Sequence, residues 1–297
     1  MLAYTLSDYA QQIVSGLSSG GVYASLALAI VIIYRSTGVI NFAQGEMATF
    51  TTFIAFSLMH HMSYWPAFFL TCAIAFVGAV ALERVVIRPV ERAPVLTLVI
   101  VTLGLALMFN GASAWIWGGA VHQFDSPFST RPIHVAGVAF SIQDLGIIAV
   151  SLVLVFLLWL LFQFTKLGLA LRASALNPEG SRFVGIRVGW MLAIGWGLAA
   201  AIGAVAGMMT ASALGGLDFN MMLTVLLYAL AAAVLGGLES PLGAVIGGLL
   251  LGVALNLVAM WHVVGSSLKL PVGLGIILLV LVFRPNGLFG RTVVRKV

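Results

Sequence analysis

Long apolar runs, separated by short polar connections, constrain this chain more than any other feature. Charged residues make up 8% of its 297 positions, against about 25% in a typical soluble domain. So few charges cannot cover a water-exposed surface, which excludes a soluble enzyme, a nucleic-acid-binding protein and a disordered chain. Runs of about 20 apolar residues are long enough to cross a bilayer as helices. The predicted spans lie near residues 12–34, 46–59, 67–87, 95–116, 144–165, 190–213, 221–238, 241–261 and 270–284.

The predicted fold is all-α, a polytopic bundle of transmembrane helices that forms one domain over residues 1–297. Within lipid, every backbone polar group needs a partner in its own segment, so the runs are expected to be helices. Nine spans are expected, with eight as the alternative, because the run at 46–59 is short for a full crossing. The unit at Gly236–Ala244 weakly resembles the polar break at Asn41–Glu46 in its placement, which predicts an internal repeat of two halves.

The basic residues predict how the chain is oriented. When the predicted loops are assigned alternately to two sides, all of the 14 Lys and Arg residues except Arg131 and Lys269 fall on one side. The positive-inside rule makes that side cytoplasmic, with the N-terminus outside and the C-terminus inside. The net charge of +5 is then explained by topology and needs no nucleic-acid surface.

One cytoplasmic stretch, at about residues 167–189, departs from a plain membrane helix. Asn177 is a favoured N-cap residue, and Pro178 suits the first helical position because its missing N–H costs nothing there. Glu179 follows at the positive end of the helix dipole. Gly185 is placed to end the helix in a left-handed conformation. The pattern predicts a helix of about two turns on the cytoplasmic face.

Two interpretations of this short helix are open from its residues alone. It is either a simple connector or a docking element that inserts into a groove on a cytoplasmic partner. In the second case, Phe183 and Val184 would supply apolar contact, while Glu179 and Arg182 would set the register at the rim.

Polar residues interrupt the chain between the first two spans, at residues 36–46. Such residues must face protein, water or headgroups, and a polar break beside a short helix is typical of discontinuous helices near a transport path. The alternative is a simple cytoplasmic turn. Two further asparagines within apolar runs are interpreted as interhelical hydrogen-bonding groups or as path residues. The candidate path residues are Asn41, Gln44, Glu46, Asn110 and Asn256.

Glycines spaced four residues apart allow the backbones of two helices to approach closely. They are expected to pack helices tightly, with a gating hinge as the alternative. The packing candidates are Gly203, Gly207, Gly243, Gly247, Gly248 and Gly252.

The predicted outer connection at about residues 117–143 is expected to hold a short surface helix or a docking surface.

Several motifs that would indicate chemistry are missing from the sequence. There is no Gly-x-x-x-x-Gly-Lys-Ser/Thr phosphate loop, so this chain is not expected to bind ATP in that way. No metal-ligand cluster or nucleophile–base pattern is present either, so no metal, cofactor or enzyme activity is predicted. Any energy for uphill transport must come from another chain.

Three motifs together resemble one known family. The chain reads Gly38-Val39-Ile40-Asn41-Phe42-Ala43-Gln44-Gly45-Glu46 after a Gly16-x-x-x-Gly20-Gly21 start, then Arg172-Ala173 through Asn177-Pro178-Glu179 to Gly185-Ile186, and ends near Arg284-Pro285-Asn286-Gly287-Leu288-Phe289-Gly290. Over residues 12–291 it resembles the permease subunits of branched-chain amino acid ABC importers, of the first-permease type. Gln44 departs from the family pattern, which typically has histidine there.

The resemblance implies a multi-pass permease of the bacterial cytoplasmic (inner) membrane. Its implied partners are a second related permease subunit, two cytoplasmic ATPases that carry ATP and Mg, and an extracytoplasmic solute-binding protein. The implied solutes are leucine, isoleucine or valine, with urea, short amides or aromatic acids as alternatives. A self-contained secondary transporter or channel is the rival class. The resemblance favours the docking interpretation and assigns ATPase coupling to Asn177, Pro178, Glu179, Gly180, Arg182, Phe183 and Gly185.

The predicted orientation can be tested by cysteine labelling. In a Cys72→Ala background, Gly180→Cys should react with a membrane-impermeant thiol reagent only when the cytoplasmic side is accessible, because the positive-inside rule places it there. Asp125→Cys, in the outer connection, is the control and should react in intact cells. Labelling of position 180 from outside intact cells would contradict the predicted topology.

Overall fold

The computed structural model describes residues 5–91, 93–135, 138–260, 268–284 and 286–290. Helices make up most of this part of the chain. The α-helices are α1 (Leu6–Thr37), α2 (Gln44–Met59), α3 (Tyr64–Leu82), α4 (Val95–Trp117), α5 (Ile142–Phe164), α6 (Lys166–Leu176), α7 (Pro178–Phe183), α8 (Val188–Leu214), α9 (Met221–Gly236), α10 (Pro241–Met260) and α11 (Lys269–Phe283). A π-helical turn at Glu83–Ile87 and a 3₁₀ turn at Arg88–Val90 continue α3.

Each of the nine predicted spans coincides with a helix, namely α1 to α5 and α8 to α11. Among the described residues, six helices are long and apolar enough to cross a bilayer: α1, α3 with its continuation, α4, α5, α8 and α10. The apolar helices α9 and α11 are shorter, and α2 has 16 residues. Trp261, at the end of one predicted span, lies outside the described residues. The prediction of a helical, multi-pass membrane bundle is confirmed at this level.

Short β-strands correct the expectation of an all-α chain. The connection at 117–143 contains β1 (His122–Gln123) and an antiparallel hairpin of β2 (Pro132–Val135) and β3 (Val138–Ser141). β1 pairs with β4 (Gly216–Leu217), which follows α8. The surface helix expected in this connection is therefore absent from its described residues. The sequence of β2 and β3 explains this, because β-branched and aromatic residues favour strands and a proline is tolerated at the start of an edge strand.

The helices α1 and α8 form the centre of the bundle. In the most apolar 18-residue window of each helix, 83% of α1 and 78% of α8 is buried, against 17% of α4 and 22% of α5. The outer helices instead expose large apolar side chains, such as Leu107 at 77%. Since lipid is as apolar as leucine, such exposure suits the outside of a membrane bundle and requires no covering partner.

The six predicted packing glycines lie at three close contacts between helices. A Cβ atom on Gly248 or Gly252 would overlap the backbone of α1, and one on Gly243 or Gly247 would overlap the backbone of α9. On α8, a Cβ at Gly203 would lie 2.7 Å from Nε2 of Gln44, and a Cβ at Gly207 would lie 2.7 Å from the carbonyl oxygen of Ala48. The absence of a side chain at these positions lets α10 meet α1 and α9, and lets α2 meet α8.

Replacing one of these glycines should loosen the bundle. We expect Gly248→Ala to destabilise the protein by about 1–3 kcal/mol, because the added methyl meets the α1 backbone at Ala24, which cannot yield as a side chain can. Thermal unfolding in detergent, followed by size-exclusion chromatography, measures the effect.

The matched control is Gly104→Ala on the exposed face of α4, where a Cβ would meet nothing within 4 Å. It should be neutral or stabilising by up to about 1 kcal/mol, because alanine is the better helix former. Equal stability of the two variants would show that the α1–α10 contact is not close-packed.

Candidate translocation site and coupling helix

The short helix α2 begins beside the middle of α8. The side chain of Gln44, the first residue of α2, is fully buried, and its Nε2 donates a hydrogen bond to the carbonyl oxygen of Ala199 at 2.9 Å. Ala199 lies near the midpoint of α8, which has 27 residues and is about 40 Å long. The start of α2 therefore lies within the bundle, whereas Gly38, where α1 ends, is exposed.

Local hydrogen bonds satisfy the backbone at this break. Gly38 ends α1 in the left-handed conformation, with φ +71°, and its N–H donates to the carbonyl oxygen of Tyr34 at 2.7 Å. The side chain of Asn41 is buried, and its Oδ1 accepts a hydrogen bond from the N–H of Ala43 at 3.0 Å. Its Nδ2 donates to Oε1 of Gln44 at 3.3 Å. Asn41 and Gln44 thus act together to hold a non-helical turn inside an apolar bundle.

The same turn occurs again after α8. Gly215 ends that helix with φ +65°, and α9 begins six residues later, as α2 begins six residues after Gly38. Oδ1 of Asp218 accepts from the N–H of Asn220 at 2.8 Å, which repeats the Asn41 bond. The backbone N–H of Met221 donates to the carbonyl oxygen of Asp218 at 3.1 Å. This local match lies at 215–220, whereas the sequence-based expectation placed the echo at Gly236–Ala244, the connection between α9 and α10.

A polar cluster joins the two turns. Nδ2 of Asn110, on α4, lies within hydrogen-bonding distance of three acceptors that share its two N–H groups: Oε2 of Glu46 at 3.1 Å, the carbonyl oxygen of Phe219 at 3.2 Å and Oδ1 of Asn220 at 3.1 Å. The carboxylate of Glu46 belongs to the first turn of α2 and is 6% exposed as a residue. We name these four groups the polar junction. The polar junction thus consists of the Glu46 carboxylate, the amides of Asn110 and Asn220 and the backbone carbonyl of Phe219. It lies where α2, α4 and the second turn meet.

The structure separates the remaining path candidate from this cluster. Nδ2 of Asn256 donates to the carbonyl oxygen of Gly252 one turn earlier on α10, at 2.9 Å. Its Oδ1 lies 3.5 Å from Nζ of Lys269 at the start of α11. Asn256 therefore serves the contact between α10 and α11, whereas the other four candidates form two hydrogen-bonded pairs at the breaks.

The predicted cytoplasmic helix is α7. Asn177 stands at its N-cap, where Oδ1 accepts from the N–H of Gly180 at 2.8 Å, and Pro178 occupies the first helical position. Gly185 follows the helix with φ +83°. A second helix, α6, precedes α7 and was not anticipated from the sequence, where this part of the segment was treated as a connection.

The end of α7 presents an apolar surface. Phe183 is 91% exposed and Val184 is 76% exposed, although both are large apolar residues. Glu179 and Arg182, which flank them, are also exposed. No described element of this chain covers these side chains, so the helix offers an aromatic anchor with a charged rim, the arrangement typical of a docking site.

The residues that follow α7 are tied to the end of α3. The guanidinium of Arg84 lies over the ring of Trp190, with 3.7 Å from Cζ to the ring centroid. This cation–π contact joins the π-helical turn after α3 to the first turn of α8. The contact fixes the first turn of α8, five residues after Gly185, against the end of α3.

Comparison with known proteins decides the family. The sequence model of the branched-chain amino acid transport system permease component matches residues 12–283. The chain belongs to this family. The resemblance inferred from its motifs is confirmed, and the family is a transport component and not an enzyme family.

Similar proteins span almost the whole chain. It is 31% identical to the high-affinity branched-chain amino acid transport system permease protein BraD of Pseudomonas aeruginosa, over 97% of this chain and 98% of that protein. The corresponding permease protein LivH of Escherichia coli K12 is 28% identical over the same shares. A probable branched-chain amino acid transport permease protein LivH of Methanocaldococcus jannaschii is 32% identical over 80% of this chain and 76% of that protein.

Sequence reasoning missed the second turn and, with it, Asn220. Asp218, Phe219 and Asn220 follow a long helix and carry no unusual composition by themselves. The signal that could have found them is the match of Gly38-Val39-Ile40-Asn41-Phe42 with Gly215-Gly216-Leu217-Asp218-Phe219, which shares a glycine, an Asx residue and a phenylalanine at the same spacing.

The polar junction should be measurable as a coupling of two side chains. We expect Asn110→Leu to destabilise the protein by about 1–3 kcal/mol, because it leaves the buried carboxylate of Glu46 without its hydrogen bond. Glu46→Gln should destabilise the Asn110→Leu variant less than it destabilises the wild type, since the two side chains share one interaction. Thermal unfolding of the four proteins in detergent measures this.

Asn256→Leu is the matched control, because among the described residues Asn256 hydrogen-bonds within its own helix and to Lys269. Its expected cost is about 0.6 kcal/mol. Strictly additive costs of the two junction variants would show that Asn110 and Glu46 do not interact.

Proposed function

We propose that this chain is the permease subunit of a binding-protein-dependent ABC importer that carries branched-chain amino acids across the bacterial cytoplasmic membrane. The observation that carries the proposal is the full-length similarity to proteins named as branched-chain amino acid permeases. The exposed apolar end of α7 supports it independently, since a self-contained transporter has no use for such a helix.

The energy for transport would come from partner chains. The sequence has no phosphate-binding loop, so ATP and Mg would be held by two cytoplasmic ATPases. A second, related permease subunit would complete the membrane part. An extracytoplasmic binding protein would capture the amino acid, so that the permease itself need not bind it tightly.

The transmembrane helices would form two inverted halves, α1 to α4 and α8 to α11. Exchanging the halves preserves which helices touch: α1 packs on α10 as α8 packs on α3, and α2 packs on α8 as α9 packs on α1. Gln44 and Thr52 of α2 lie beside successively later positions of α8, so α2 runs parallel to α8. The helix α10 is antiparallel to both α1 and α9, so α9 runs parallel to α1. Each half would therefore place its second helix parallel to the first helix of the other half, as expected for a repeat of inverted topology.

In this arrangement the N-terminus lies outside, the basic end of the bundle lies in the cytoplasm and the two turns face each other near mid-membrane. Their meeting point is the polar junction. We assign it the role of a gate, because non-helical backbone at membrane depth is tolerated where it lines a cavity or is buried in protein. A zwitterionic amino acid could exchange hydrogen bonds with Asn110, Asn220 and Glu46 as it passes.

Nucleotide-driven closure of the ATPases would push on α7. Phe183 and Val184 would enter an apolar groove on the ATPase, and Glu179 with Arg182 would fix the register. The push would reach α8 and α3 through the Arg84–Trp190 contact. A shift of α8 moves Ala199, and with it Gln44 and the first turn, so the gate responds to an event at the cytoplasmic surface.

The coupling role predicts separation of two activities. In proteoliposomes that contain the assembled transporter, the double variant Glu179→Ala with Arg182→Ala, and separately Phe183→Asp, should lower ATP-dependent leucine uptake at least about tenfold. ATP hydrolysis should continue, because the ATPase sites are untouched. Uptake of radiolabelled leucine and release of phosphate are measured in the same vesicles.

The matched control is Trp115→Ala, which removes an equally exposed aromatic residue (87% exposed) at the far end of α4. Its uptake should equal that of the wild type. Full uptake in the α7 variants would exclude the docking role. Concentration of leucine by the purified chain alone, using only an ion gradient, would exclude the ABC permease assignment itself.

A further inference from the structure

A cavity of about 860 Å³ opens at the basic end of the bundle, next to Gly38 at the start of the first turn and apart from the exposed face of α7. Its walls come from the last turns of α1, from α5, from α6 and from the start of α10. The cavity is amphipathic, with polar groups at one end and aliphatic and aromatic side chains at the other. Neither the transport mechanism nor the packing of the helices accounts for it.

The polar end carries more positive than negative charge. Arg35 and Arg172 both line it, together with Tyr34 and Ser240, and its acidic lining residue is the exposed Glu239. Within the part of the chain that the structure describes, the buried Nε of Arg172 makes no hydrogen bond. A guanidinium group offers a planar fork of donors that matches a phosphate. Two guanidinium groups at this end therefore favour an anionic oxygen ligand.

Beside the apolar end lies a separate, shallow groove of about 10 Å³ along α1, between α5 and α10. Val155 and Val245 line both the cavity and this groove, so an acyl chain that leaves the cavity there would lie against the surface of the bundle beside Leu152 and Leu249. Leu152 is 52% exposed, so the groove opens on the outer surface of the bundle, where lipid lies. Trp159 lines the cavity itself and is 42% exposed. Trp at this level is typical of the headgroup boundary of a bilayer.

We propose that this cavity binds an anionic phospholipid, with its phosphate between Arg35 and Arg172 and one acyl chain in the groove between α5 and α10. A phospholipid fits the order of the lining, with a cationic end at the headgroup level followed by an aliphatic channel that opens to the bilayer. A free inorganic anion would use only the first part, and an apolar protein segment would match only the second.

The bound lipid would join two parts of the transport machinery. Arg35 lies three residues before Gly38, where α1 ends, and Arg172 lies on α6, the helix that leads into α7. A phosphate held by both residues would fasten the end of α1 to the base of the coupling segment. The anionic lipid is thus a structural ligand of the inner leaflet, consistent with basic pockets between membrane helices.

Native mass spectrometry of the full-length chain tests this proposal. The protein is released from detergent after equilibration with phosphatidylglycerol or phosphatidylcholine of the same acyl chains. Wild type should retain the anionic lipid about tenfold better than the zwitterionic one. The double variant Arg35→Gln with Arg172→Gln should lose this preference. Arg284→Gln, which removes an exposed arginine outside the cavity lining, is the matched control and should keep the preference.

Two further variants keep the test decisive if the double variant fails to fold, as judged by size-exclusion chromatography. Arg172→Lys should weaken the preference, since an ammonium group cannot form the paired bonds of a guanidinium. Val155→Trp should fill the groove and reduce retention of both lipids without removing charge. Equal retention of the two lipids by wild type, or no effect of any cavity variant, would overturn the proposal. Displacement of phosphatidylglycerol by millimolar inorganic phosphate, with no effect of Val155→Trp, would instead indicate a site for free anions.

Discussion

The hydrogen-bonding requirement of backbone groups in an apolar environment governs this structure. A helix satisfies that requirement by itself along its length, but its ends leave N–H and C=O groups that need other partners. Here two long helices, α1 and α8, end at glycines, and each is followed by a turn whose Asx side chain accepts a backbone hydrogen bond. The amide of Asn110 then donates hydrogen bonds to two further acceptors near the turns, the Glu46 carboxylate and the Phe219 carbonyl.

The same requirement links structure to transport. Turns of this kind are held by a few side-chain hydrogen bonds, whereas the surrounding helices are held by close backbone contact at glycines. A bundle built this way has rigid parts and local weak points at the two breaks. Displacement of α8 would reach one break through the bond between Gln44 and Ala199, and the first turn of α8 contacts the end of α3 through Trp190 and Arg84.

Much of this could be predicted from the sequence, because its causes are local. The positions of the nine apolar helices follow from runs of residues that only lipid tolerates. The cap of α7 follows from Asn177 and Pro178, whose side chains act on the backbone within three residues. The spacing of the packing glycines can also be seen in the sequence. The helix that each glycine contacts cannot, because it is distant along the chain. The strands β2 and β3 were missed because each has four residues and is defined by pairing with a segment outside its own run.

What the sequence by itself determined is which segments are helical, where they are capped and which family they represent. Only the tertiary structure decided that α2 begins beside the middle of α8, that Asn110 joins Glu46 to a second turn, and that Asn256 belongs elsewhere. Asn110 is separated by 64 positions from Glu46 and by 110 positions from Asn220. Hydrogen bonds over such distances along the chain produce no periodic pattern in a single sequence. The physical reason is that helix formation depends on neighbours along the chain, whereas the burial of a polar side chain depends on neighbours brought together by packing.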